Sequence, residues 1–172
     1  MAREKWTPEL VGDQTGRVMI VTGATSGIGK ETARVLVGKN AHVILAVRNQ
    51  DKGQAALTEF LLEYPKAEVE VRTLDLSNLS SIEAFAEGMA RDFDRLDVLV
   101  NNAGVMMCPY GKTADGFEMQ IGTNHMGHFA LTGQLMPLLK ATPDSRVVNV
   151  SSVGHRTGKI DLNDLNWEAR KY

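Results

Sequence analysis

The stretch that most constrains this chain runs from Val18 to Gly29: Val-Met-Ile-Val-Thr-Gly-Ala-Thr-Ser-Gly-Ile-Gly. Four consecutive apolar residues, Val18 to Val21, suit a strand buried on both faces. The run stops at Thr22-Gly23, and from Gly27 to about Lys39 the pattern becomes helical. Strand, glycine-rich turn and helix in that order put the free N–H groups of a helix N-terminus beside the turn, where they suit a pyrophosphate. Gly23 suits the tight turn, Gly27 lets backbone approach a phosphate, and Gly29 permits close packing of helix on strand. The hydroxyls of Thr22, Thr25 and Ser26 surround the same spot.

The rest of the chain repeats the alternation. Residues 1–16 are polar and carry Pro8, Gly12 and Gly16, which predicts an extended arm ahead of a domain over 17–172. Ala41 to Val47 reads as a buried strand, and Gln50 to Tyr64 as a helix stopped by Pro65. Glu68 to Leu74 alternates charged and β-branched residues, the pattern of a strand nearer an edge. Ser77 to Phe93 is an amphipathic helix with polar capping candidates at its start. Leu96 to Val100 is a strand broken by Asn101-Asn102-Ala103-Gly104. A loop then precedes a long helix, expected over Asp115 to Lys140, and Ser145 to Val150 forms a fifth strand. Strands alternating with helices predict an α/β fold: a Rossmann-like, doubly wound parallel sheet with helices on both faces and strand order 3-2-1-4-5. Ligands of such sheets bind beyond the carboxyl ends of the strands, at the switch point between strands one and four.

Composition narrows the partners. The net charge of -2 over 172 residues gives no reason to expect nucleic acid or an anionic membrane. No apolar run approaches the roughly 18–20 residues of a membrane span, and the first residues lack the apolar core of a signal peptide. The single cysteine, Cys108, excludes an intrachain disulfide framework and a cysteine-built zinc site. A soluble, cytoplasmic protein is the expectation.

The spacing Thr22-Gly23-x-x-x-Gly27-x-Gly29 resembles the nucleotide loop of the short-chain dehydrogenase/reductase family, and Asn101-Asn102-Ala103-Gly104 resembles that family's segment after strand four. The resemblance implies a nicotinamide dinucleotide and hydride transfer between an alcohol and a carbonyl of a small-molecule substrate. It places the cofactor against Thr22, Gly23, Ser26, Gly27, Ile28 and Gly29, then against Asn102, Ala103, Gly104 and Val150. Asp75 and Leu76, ending strand three, would contact the adenine; Asp75 also suits a turn cap. Strand two ends in Arg48-Asn49 with no acid to read a ribose 2′-hydroxyl, while the Arg48 guanidinium suits a 2′-phosphate. NADP(H) is therefore expected over NAD(H).

For chemistry, the resemblance implies that Asn124 supports a proton-relay water and that Ser152, with Ser151 as runner-up, bonds the substrate oxygen. His125 and His128 stand one turn apart, but no third ligand suggests a metal. The family's tyrosine, with a lysine four positions on, is missing: Glu68 follows Tyr64 at that spacing, Ala114 follows Tyr110, and Tyr172 is the last residue. Gly154 to Tyr172 resembles the connector of the retinol-dehydrogenase-like branch. The chain is thus expected to be the truncated cofactor half of such an enzyme, inactive alone, with an exposed fifth strand and a homo-oligomer left open. The rival expectation is a non-catalytic nucleotide-binding or regulatory protein.

Overall fold

The computed structural model describes residues 6–169, 171 and 172. At its centre β1 (Val18–Thr22) is buried along its whole length. β2 (His42–Val47) and then β3 (Val69–Thr73) lie on one side of it, β4 (Val98–Asn101) and then β5 (Arg146–Asn149) on the other. All four pairings are parallel, and the order is 3-2-1-4-5. The strands are joined by α1 (Gly27–Val37), α2 (Gln50–Glu63) and α3 (Leu79–Asp92). The last connection is α4 (Met119–Ile121), a π-helical turn (Gly122–Met126) and α5 (Gly127–Ala141).

The two-residue side-chain period of a strand divides the core into two layers. Val18 and Ile20 of β1 pack with Ile82, Phe85, Leu131 and Leu135 of α3 and α5. Met19 and Val21 point the other way, toward Ala33, Val37, Ala56 and Phe60 of α1 and α2. A strand covered on both faces must be apolar at every position, which is why β1 reads as a continuous run. Each large side chain buried this way contributes about 1.5–3 kcal/mol. α2 reaches the sheet through Gly53, where a Cβ would stand 2.6 Å from Val71 and 2.7 Å from Val47.

Two details differ from expectation. The long helix begins at Met119, not Asp115. Asp115 instead accepts the Leu79 N–H of α3 at 2.9 Å, Gly116 turns the chain at φ +86°, and the Glu118 carboxylate caps the N–H groups of Gln120 and Ile121. Local side-chain acceptors compete with the helix ladder here. Second, residues 13 and 14 are fastened to the domain rather than extended from it: Gln14 N–H donates to Lys39 O at 2.7 Å and Asn40 Nδ2 to Asp13 at 2.9 Å. Pro8–Leu10 forms one 3₁₀ turn, and residues 1–5 of the expected arm lie outside the described residues. α5 buries Leu131, Leu135 and Leu139 in the same core layer as α3 and leaves Met136 exposed. β5, as expected, is exposed at all four positions.

The amino end of the central strand is fixed by a buried carboxylate. Asp97, 2% exposed, accepts from Val18 N–H at 2.9 Å, from Arg95 Nε and Nη2 at 2.9 and 2.7 Å, and from Arg17 Nε at 3.3 Å. Burial alone would raise its pKa; the Arg95 fork, the Val18 N–H and Arg17 outweigh burial and hold it below the usual aspartate value. The folded protein therefore binds fewer protons here than the unfolded chain. The stabilisation is complete above the unfolded pKa and lost as pH falls through the folded one. Asp97→Ala should lower unfolding free energy by about 2 kcal/mol at neutral pH. In urea denaturation the gap to wild type should narrow below about pH 4; a gap unchanged at pH 3 would refute the charge as its cause.

Candidate functional site

A cleft of about 520 Å³ opens over the carboxyl ends of β1 to β4. Gly23, Thr25, Ser26, Ile28 and Gly29 line it from the first turn. Ala46, Val47, Arg48, Asn49 and Lys52 line it from the end of β2 and the start of α2. Leu74, Asp75 and Leu76 come from the end of β3. Asn102, Ala103, Gly104 and Val105 follow β4, with Thr123 and Val150 at the far end. The size is that of a pocket for one small ligand.

The turn's glycines are each demanded by something different. Gly23 has φ +67°, and a Cβ on it would stand 2.9 Å from Ala103 Cα. Gly27 has φ +56° with nothing within 4 Å of a Cβ, so its backbone is open to a ligand although the residue itself does not line the cleft wall. Gly29 packs closely as expected, but against a side chain: its Cβ would fall 2.2 Å from Asn102 Nδ2 and 2.5 Å from Gly23 O. Ser26 is the N-cap of α1 and makes no side-chain capping bond, so the first N–H groups of this 11-residue helix have no side-chain cap from within the turn.

Thr22 has a different place from the expected one. It is fully buried and absent from the cleft wall, and its hydroxyl is surrounded by protein partners. Thr22 Oγ1 instead accepts the N–H groups of Asn102 and Ala103, both at 2.9 Å, with Val100 O at 3.3 Å and His128 Nε2 at 2.9 Å. Asn102 returns its amide to Thr22 O at 2.8 Å. Asn101 pins the neighbouring strand ends, donating to Asn149 Oδ1 at 2.8 Å and Thr132 Oγ1 at 3.0 Å. Burial of the His128 ring, opposed by its bond to Asn124 O, holds its pKa below the ordinary imidazole value.

At the end of β2, Arg48, Asn49 and Lys52 form the cationic wall. Neither the Arg48 nor the Lys52 side chain has a hydrogen-bond or ion-pair partner among the described residues. Asn49 caps α2, its Oδ1 accepting Lys52 N–H at 2.9 Å. Lys52 escaped the sequence reading; it lies in the first turn of α2, past the strand tip where a ribose-reading residue is sought. Asp75 lines the cleft and also caps its turn, Oδ1 accepting from Ser77 N–H at 2.9 Å and Ser77 Oγ at 2.6 Å. Leu76 is held there because Gly127 of α5 has no side chain: a Cβ would stand 2.3 Å from Leu76 O.

The two expected catalytic residues sit in different surroundings. Asn124 lies in the π-helical turn, and its side-chain amide is committed to Val105: Oδ1 accepts Val105 N–H and Nδ2 donates to Val105 O, both at 2.8 Å. It clamps the cleft loop, and its main-chain carbonyl meets His128 Nδ1 at 3.0 Å. Ser152 is exposed, outside the cleft wall, and accepts Gly154 N–H at 3.2 Å; Val150, two residues earlier, does reach the cleft. Beside Asn124 a second cavity of about 450 Å³ is bounded by Glu118, Gln120, Ile121, Trp167 and Tyr172. The Tyr172 hydroxyl donates to Glu118 at 2.8 Å, and partial burial with that carboxylate leaves its pKa pushed up to about 12. Among the described residues no three His, Cys, Asp or Glu side chains are placed to hold a metal, and His125 packs on Phe129. No helix among them is long and apolar enough to cross a membrane.

Comparison with known proteins agrees with this architecture. The short chain dehydrogenase family model matches residues 17–162. Human retinol dehydrogenase 12 is 53% identical over 155 residues, covering 90% of this chain and 49% of that protein. Human retinol dehydrogenase 13 is 49% identical over 157 residues, covering 91% and 47%. The chain thus spans about half the length of the curated relatives it matches. A protein of Mycobacterium paratuberculosis with a crystal structure superposes at TM-score 0.86 with 48% identity, over 97% of this chain and 57% of that one. A short chain dehydrogenase from Escherichia coli CFT073, complexed with NADPH, gives TM-score 0.73 at 29% identity over 91% and 65%. With its sheet order, its glycine turn and the cleft above them, this chain belongs to the short-chain dehydrogenase family, on its retinol-dehydrogenase-like branch.

Proposed function

We propose that this chain is the nucleotide-binding part of an NADP(H)-dependent oxidoreductase that interconverts an alcohol and a carbonyl of a small-molecule substrate. The observation that carries the reading is the pair of unpartnered cations, Arg48 and Lys52, on the cleft wall at the tip of β2. A reader of an unmodified ribose needs an acid at that tip, and Arg48-Asn49 stands there instead. A guanidinium and an ammonium suit a 2′-phosphate. The rest of the donor set fits a dinucleotide: the uncapped start of α1 and the open backbone of Gly27 suit the pyrophosphate, and the small Ala103 and Gly104 leave room for a ribose. Asp75 with Leu76 suits the adenine. The NADPH in the Escherichia coli relative's structure supports the same choice.

When bound, the nicotinamide supplies the hydride chemistry, and this chain's residues bind and orient it. In the whole protein, Ser152 orients the substrate oxygen and Asn124 supports proton transfer. The 172 residues alone, with no tyrosine followed four positions on by lysine, bind the nucleotide without turnover. A second reading, a nucleotide-binding protein without catalysis, draws on Ser152, which lies outside the cleft wall.

Calorimetric titration of the chain should show saturable NADPH binding, tighter than NADH. Arg48→Asp should weaken NADPH by about 10- to 100-fold, the worth of one charge-assisted hydrogen bond, and improve NADH; an unchanged preference refutes the 2′-phosphate assignment. Extending the chain with a family segment that carries Tyr-x-x-x-Lys should give ketone-dependent NADPH oxidation. Its absence in a folded, nucleotide-binding extended chain would favour the non-catalytic reading.

A further inference from the structure

His128 is 6% exposed, sits on the first turn of α5, and takes no part in the function proposed above. Its two ring nitrogens face different partners. Nδ1 lies 3.0 Å from Asn124 O, a carbonyl that can only accept, so Nδ1 carries a proton. Nε2 lies 2.9 Å from Thr22 Oγ1. That hydroxyl has one proton and two lone pairs, and the N–H groups of Asn102 and Ala103, each at 2.9 Å, occupy both lone pairs. A proton on Nε2 would have no lone pair to meet. The Thr22 proton has two acceptors in reach, Nε2 at 2.9 Å and Val100 O at 3.3 Å, and the nearer one holds it.

We infer that His128 is a positioning residue for the nucleotide turn: neutral and protonated on Nδ1, it takes the Thr22 proton on Nε2 and so turns both Thr22 lone pairs toward the backbone of Asn102 and Ala103. The chain of bonds runs from Asn124 O through the imidazole and the Thr22 hydroxyl to the loop that floors the cleft. Burial of the ring, which disfavours the imidazolium, agrees with this arrangement. The effect on ligand affinity rests on the nucleotide reading above; the polarity of the bonds rests on geometry alone.

The test uses the full 172-residue chain. With ¹⁵N-labelled histidine, long-range ¹⁵N–¹H spectra at pH 7.5 should show His128 as the Nδ1–H tautomer; an Nε2–H tautomer or an imidazolium overturns the inference. His128→Leu removes the acceptor, whereas His128→Gln keeps a carbonyl oxygen at the far ring position. Amide exchange at Asn102 and Ala103 should quicken about tenfold or more in the leucine variant, as expected for loss of about one buried hydrogen bond, and remain near wild type in the glutamine variant. The NADPH dissociation constant should follow the same order. Equal exchange in both variants overturns the inference. If wild type fails to bind NADPH, the nucleotide reading fails while tautomer and exchange still decide this one. If His128→Leu does not fold, the tautomer decides it.

Discussion

The crevice exists because β1 and β4 stop pairing at Val21 and Val100 and are then tied across the gap by one asparagine and one threonine. The backbone N–H groups of Asn102 and Ala103 and the Asn102 amide all bond to Thr22. Two parallel strands diverging at their carboxyl ends would otherwise leave several buried backbone groups unpaired, each costing about 1–3 kcal/mol. The tie satisfies them and leaves the outer side of the loop free to face a ligand. It also dictates the sequence around it. Asn102 Nδ2 occupies the space that a Cβ at position 29 would need, and Ala103 occupies the space beside Gly23.

The electrostatic character of the crevice follows from what is left unpaired. Many of the chain's charges are paired locally: Arg34 with Glu31 and Glu63, Lys30 with Glu59, Arg72 with Asp92, Lys112 with Glu168. Arg48 and Lys52 have no such partner among the described residues, and they lie on the crevice wall beside an uncapped helix start. Exposed cations with no partner cost little in water, and they attract an anionic ligand whose charge arrives with it.

Much of the fold was legible because burial on two faces leaves an unmistakable mark. Val18 to Val21 and Val43 to Val47 are apolar without interruption, and the glycines of the first turn each answer a local steric demand. Glu68 to Leu74 announced an edge strand by its charges, and β3 lies at an edge. The site was less legible. Thr22 looked like a ligand donor because a hydroxyl beside a glycine turn reads the same whether it faces outward or inward; only the packing of β4 decides. Lys52 was hidden because it belongs to the first turn of α2, and only the placement of that helix puts it on the cleft wall. Gly53, Gly122 and Gly127 lie inside or beside helices, where sequence shows only a weak helix former and structure shows a neighbour too close for a Cβ. The early start assigned to the long helix failed because Asp115 and Glu118 spend their carboxylates on backbone N–H groups.

The π-helical turn has a geometric consequence for how this helix tolerates length changes. Gly127 N–H bonds Gly122 O, five residues back, so the turn holds one residue more than an α-helix would. One residue is about 100° of rotation. The extra residue sets the phase between two faces of a single helical run: Leu131, Leu135 and Leu139 point into the core, while Asn124 points at Val105. Deleting one residue between Gly122 and Met126 would restore a regular helix and leave the core stripe undisturbed. It would also swing Asn124 by more than a quarter turn away from the cleft loop. The surplus residue thus works as a gear between packing and site, letting the apolar stripe and the clamp be aimed independently.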